Sequence, residues 1–130
     1  MARLLTPARS LSAGLLAGLL LTAVPANAAD IAQGKAVASQ MCAMCHSLAK
    51  GGAPILGPTL YGVVGRKAGS LPGFSYSDAM KQAGFAWTPD RLRAFLPAPS
   101  KAVPGTKMTF AGLKNPVQVE DVIAYLSTLK

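Results

Sequence analysis

The sequence predicts an all-α domain of about four to five helices joined by long loops. Three observations carry that expectation. Helix-capping residues stand before four apolar segments, no stretch alternates convincingly as a strand, and glycine and proline crowd the intervals between. Asp30 can cap a first helix through about Met41, with Ile31, Gly34, Val37, Ala38 and Met41 on one face. Residues 49–73 are loop-like, carrying Gly51-Gly52, Gly57-Pro58 and Pro72-Gly73. Ser75 or Ser77 can cap a short helix through Ala83, ended by Gly84. Thr88-Pro89 pairs a capping hydroxyl with a first-turn proline and starts a third helix, which Pro97 stops after Leu96. Residues 97–116 read as a second loop. Asn115-Pro116 opens the last helix, where Val119, Val122, Ile123 and Leu126 follow helical spacing. Glu120 and Asp121 are expected in its first turn and Lys130 at its end, matching the macrodipole.

Ahead of this domain lies a different kind of segment. Arg3 and Arg9 make a basic start, Leu11 to Val24 is apolar, and Ala26-Asn27-Ala28 follows the break at Pro25. That order is the secretory signal-peptide pattern, and the apolar run is short for a membrane span. The expected division is a leader over 1–28, cleaved after Ala28, and one domain over 29–130. The full chain of 130 residues carries a net charge of +8. Removing the two leader arginines leaves eleven basic against five acidic side chains, a net +6. Export places the domain outside the cytoplasmic membrane, in the periplasm of a bacterial cell.

Composition excludes several functions. Hydrophobic residues are 51% and charged residues 14%, which is not the make-up of a disordered chain. No Gly-rich phosphate motif is present. The basic residues are scattered without interleaved aromatics, so nucleic acid is not an expected partner. A single histidine rules out a multi-His zinc site. A domain of this size often needs a metal, cofactor or cross-link, and this one has few large aromatics for a core.

Cys42-Ala43-Met44-Cys45-His46 is C-x-x-C-H, the signature of covalent haem attachment. On a helical turn the first, fourth and fifth residues share a face. Two thiols can then form thioethers with the vinyl groups of one porphyrin while an imidazole meets the iron. A redox-active Cys42–Cys45 disulfide would need a βαβ context that is absent, and zinc would need four ligands. With no second histidine, methionine is the natural donor to the other iron face. Met41 and Met44 lie too close to the attachment helix. Met80, in a short helix, reads as core filler. Met108, in the loop Pro104 to Phe110, is favoured over it. A His/Met pair saturates iron and suits electron transfer.

With these residues in hand, the chain resembles the class I c-type cytochromes, the group of mitochondrial cytochrome c and the short bacterial carriers. The stretches that carry the resemblance are CAMCH, GPTLYGVVGRKAG, PGFSYSDAMK, the Trp87 region, VPGTKMTFAG and DVIAYL, spanning the whole domain. The resemblance implies the class I fold wrapped around one covalent haem c, with His46 and Met108 as axial ligands. It implies that the Pro58 carbonyl accepts a hydrogen bond from His46 Nδ1, and that Arg66, Tyr76, Ser77, Trp87 and Thr106 surround the haem propionates. Gly34 and Tyr125 match a close crossing of the first and last helices.

Three departures stand out. Phe95 replaces a tyrosine usual in the family, Met80 replaces a common asparagine, and the partner-docking lysine ring is diluted. Lys101, Lys107 and Lys114 remain, with Lys50 nearby, but Ala36, Met41, Ile55, Ser100 and Asn115 are neutral. The implied function is a monomeric, non-enzymatic one-electron carrier. It would take electrons from a cytochrome bc-type complex and pass them to a terminal oxidase, reaction centre or reductase with acidic docking surfaces. The alternative is a dedicated cytochrome subunit of a periplasmic dehydrogenase.

Overall fold

The structure, a computed structural model, describes residues 28–130. The expected leader therefore lies outside the described residues apart from Ala28. The fold is all-α. Its five helices are α1 (Ile31–Met41), α2 (Asp78–Gln82), α3 (Pro89–Phe95), α4 (Pro99–Ala102) and α5 (Pro116–Thr128). Among the described residues the only extended pairing is an isolated bridge between Lys67 and Ala86.

Four of the helices begin where a side-chain oxygen can take up orphan N–H groups. Asp30 accepts from Ala32 and Gln33, Ser77 from Met80, Thr88 from Arg91 and Asn115 from Val117. Between the two serines proposed as caps, the structure selects Ser77. α4 falls inside the expected loop 97–116. Its N-cap, Ala98, makes no side-chain hydrogen bond, so no capping residue announces it. Pro99 starts it and is buried.

The charge pattern expected for α5 is corrected. With Pro116 at its first position, neither an acidic residue in the first turn nor a basic one in the last is present. Glu120 instead pairs with Arg93 of α3, which also holds Asp90. Asp121 is buried and accepts a hydrogen bond from the Asp30 backbone N–H at 2.7 Å.

α1 packs against α5, and α3 against α5 as well. Gly34 and Ala38 are the buried residues of α1. Ile31 and Met41, expected on that face, stand half exposed at its two ends. A Cβ on Gly34 would lie 1.9 Å from the Asp121 carbonyl oxygen and 3.0 Å from Tyr125 Cβ. The helices therefore cross backbone to backbone, with Val122 and Leu126 sealed behind the contact. A clash with backbone atoms cannot be relieved by a rotamer change. Gly34→Ala is expected to destabilise the native protein by about 3 kcal/mol, read as a lower denaturant midpoint. A change within about 0.5 kcal/mol would show that the helices separate at no cost.

Candidate haem site

α1 delivers the attachment motif. Its last turn continues into the motif through Cys42 N–H to Ala38 O, and the next turn closes through Cys45 and His46 N–H to Cys42 O, at 2.9–3.0 Å. Cys42, Cys45 and His46 thus occupy one turn and line the same cavity of about 450 Å³. Both thiols are free. Burial, and then the neighbouring Cys45, pushes the Cys42 thiol above its ordinary value. That is opposite to the lowered pKa of a reactive redox cysteine. Among the described residues, no group of three or more His, Cys, Asp or Glu side chains could hold a metal ion on its own.

His46 is buried, and its Nδ1 lies 2.6 Å from the Pro58 carbonyl oxygen. A carbonyl can only accept, so Nδ1 carries the hydrogen and Nε2 keeps its lone pair. Burial holds the imidazole below its ordinary pKa, against the raising effect of the Pro58 carbonyl. A neutral imidazole with one oriented lone pair is the form that ligates metal. Gly57 holds the ring in place. A Cβ there would sit 2.3 Å from His46 Cε1 and 2.6 Å from Nδ1, so chain 57–58 packs flat against the imidazole. The sequence marks Gly57 only as a turn former; nothing in its pattern shows which ring it touches.

The other expected residues reach the same cavity from distant parts of the chain. Arg66 is half-buried and donates to the carbonyls of Thr59 at 2.6 Å and Tyr61 at 3.2 Å. The bridge at Lys67 and Ala86 brings Arg66 beside Trp87, whose N–H donates to the Arg66 carbonyl at 2.9 Å. Trp87 meets Phe85 and Phe95 edge to face, at centroid distances of 4.9 and 4.8 Å. Tyr76 and Ser77 line the cavity, and Ser77 also caps α2. Thr106 Oγ1 accepts from the Met108 N–H at 3.3 Å, and Met108 lines the cavity with Phe95 and Met80. Lys101, Lys107 and Lys114 are exposed. Lys114 has a bond that the sequence did not suggest: its ammonium donates to the Pro97 and Ala111 carbonyls, each at 2.7 Å.

The residues present fit a covalent haem. Two unpaired thiols and a neutral imidazole share one wall of a mainly apolar cavity, and a glycine leaves that imidazole its place. Such a constellation on an all-α frame defines a c-type haem protein. Comparison with known proteins agrees. The sequence profile of the family described as "Cytochrome c" matches residues 31–130. Cytochrome c of Trypanosoma brucei brucei is 55% identical over 82 residues, covering 63% of this chain and 88% of that protein. Cytochrome c2 of Rhodomicrobium vannielii is 47% identical over 112 residues, covering 86% and 89%. Cytochrome cH from Methylobacterium extorquens superposes with a TM-score of 0.69 at 46% identity, over 76% of this chain and 98% of that one. The chain belongs to the cytochrome c family, as an electron carrier with a single covalent haem c and no enzymatic activity.

Gly57→Ala is expected to press on the imidazole and weaken its bond to Pro58. The His46 Nδ1 proton should then exchange with solvent about tenfold faster, measurable by NMR. Unchanged exchange would mean that the 57–58 chain yields and does not fix the ring.

Proposed function

We propose that the protein is a periplasmic one-electron shuttle whose haem iron is held by His46 and Met108. It takes electrons from a cytochrome bc-type complex and passes them to a terminal oxidase, reaction centre or reductase. The observation that carries the reading is the shared cavity: Cys42, Cys45 and His46 enter it from α1, and Met108 from a segment more than sixty residues away. Haem c, when bound, supplies a one-electron iron couple. His46 presents its Nε2 lone pair, oriented by Pro58, and Met108 presents a thioether from a segment tethered by Thr106. A methionine donor raises the potential relative to a second histidine. Phe95, Trp87, Leu92 and Leu96 exclude water from the cavity wall.

Arg66 and Lys107 are the Arg and Lys side chains on that wall, and no carboxylate joins them. Arg66 spends part of its donor set on two carbonyls and keeps the remainder for an anionic group. This supports Arg66, with Tyr76, Ser77, Trp87 and Thr106, as the surroundings of the haem propionates. Docking falls to Lys101 and Lys107, with Lys114 adding charge from a fixed position. The leader over 1–28, cut after Ala28, accounts for export. Among the described residues no helix is long and apolar enough to cross a membrane.

An optical spectrum of the matured protein tests the ligand pair. A weak far-red band is expected in the oxidised form, lost on reduction, together with no binding of carbon monoxide. Met108→Ala should abolish the band and admit carbon monoxide. A high-spin wild-type spectrum that responds to carbon monoxide would overturn the shuttle reading in favour of an open-site haem protein.

Docking through so dilute a lysine ring should also show in kinetics. Reduction by a bc-type complex is expected to slow by less than about tenfold between low and physiological salt, where strongly steered pairs lose up to ~1000-fold. A steep fall would show a concentrated basic patch.

A further inference from the structure

Between Leu96 and Leu113 the chain forms α4, with Pro99 and Val103 buried, and then the segment that carries Met108. Three features close its neck. The Leu113 N–H donates to the Leu96 carbonyl at 2.9 Å. Gly112, at φ +98°, lies so close to the other strand of the neck that a Cβ would meet the Pro97 carbonyl oxygen at 2.0 Å. Lys114 Nζ then bonds the carbonyls of Pro97 and Ala111 together. An ammonium has three donors and no acceptor, and two of its donors are committed here.

Beyond the neck the segment packs Met108 and Phe110 against the core but has few backbone hydrogen bonds. From Pro104 to Gly112, two backbone N–H groups find a partner among the described residues. Thr106 donates to the Val103 carbonyl, and Met108 to the Thr106 side chain. The position of the Met108 sulfur therefore depends on how firmly the neck is shut.

We propose that Lys114 is a positioning residue for Met108, its ammonium clamping the Pro97 and Ala111 carbonyls so that the neck stays closed and the Met108 segment lies against the cavity. The proposal rests on Met108 as axial ligand. Its physical basis is that charge-assisted hydrogen bonds are the stronger kind, and that these two join chain positions fourteen residues apart. A lysine whose charge serves only encounter with partners would have a free ammonium; this one does not.

The test uses the haem-loaded protein with Lys114→Met, which keeps an apolar stem and deletes the donors. Lys114→Arg restores donors, and Lys35→Met removes the same charge from the exposed side of α1. Two readouts are taken: affinity of the oxidised protein for imidazole, which must displace the Met108 sulfur, and amide hydrogen exchange by residue. In Lys114→Met, imidazole affinity and exchange across residues 103–113 are each expected to rise about tenfold. Exchange in α1 and α5 stays as in the wild type, Lys114→Arg falls between, and Lys35→Met matches the wild type. Unchanged exchange in 103–113 would overturn the clamp, as would a uniform rise that includes α1 and α5. An equal change in Lys35→Met would show a general charge effect and overturn it too. Failure of the axial reading is seen separately, as a wild type without the Met108-dependent far-red band. That result would remove the ligand half of the proposal, while exchange still decides whether Lys114 shuts the neck.

Discussion

Gly34 and Asp121 meet across the crossing of α1 and α5 with no room for a side chain between them, and the haem site hangs from that contact. Burying a carboxylate is costly unless it is hydrogen-bonded. Asp121 meets that requirement by accepting the Asp30 backbone N–H, one residue before α1 begins. The start of α1 is thus tied to α5 by the Asp121 side chain, and its fourth residue by close packing. From there the chain runs without a break through Ala38 and Cys42 to His46. A displacement at the crossing would move both thiols and the imidazole together. The fold uses its best-packed contact to fix the wall that carries covalent chemistry.

The loops around the site are held on other terms. Pro58 and Gly57 are loop residues, yet they are pinned by the Gly57 N–H to the Cys45 carbonyl at 2.7 Å as well as by the imidazole itself. Loop and attachment turn hold each other. The Met108 segment has no such mutual support along its length and relies on its ends. One wall is rigid because its bonds are local and helical. The other is placed from a distance, where small changes at the neck are carried to the sulfur.

Much of this was legible in the sequence because its signals are local. Asp30, Ser77, Thr88 and Asn115 each cap a helix by a bond that spans two or three residues, and the residue type suffices to predict it. C-x-x-C-H is equally local. α4 was missed because Ala98 offers no capping oxygen. Asp121 was misread as a dipole partner because its N–H donor is ninety-one positions away. Gly57 and Lys114 were read as turn former and docking charge for the same reason. Their partners, His46 and the Pro97 carbonyl, are found only once the chain has folded. The resemblance to a known family supplied Arg66, Trp87 and Pro58, which no pattern of spacing would have joined.

Net charge alone does not say what each basic side chain does. Of the basic side chains, Arg66 is turned inward to two carbonyls and Lys114 to two others. Arg93 is neutralised by Asp90 and Glu120. Lys81 pairs with Asp78, and Lys107 lies near enough to help hold that carboxyl below its usual range. Surface pairs are worth little to stability, but they do shape the field that a partner meets. The ion pairs largely cancel at long range, while Arg66 and Lys114 keep their charge at fixed positions, and salt screens the whole field. The chain thus keeps the sign needed for acidic partners while using several of its cations to hold its own loops and helices in register.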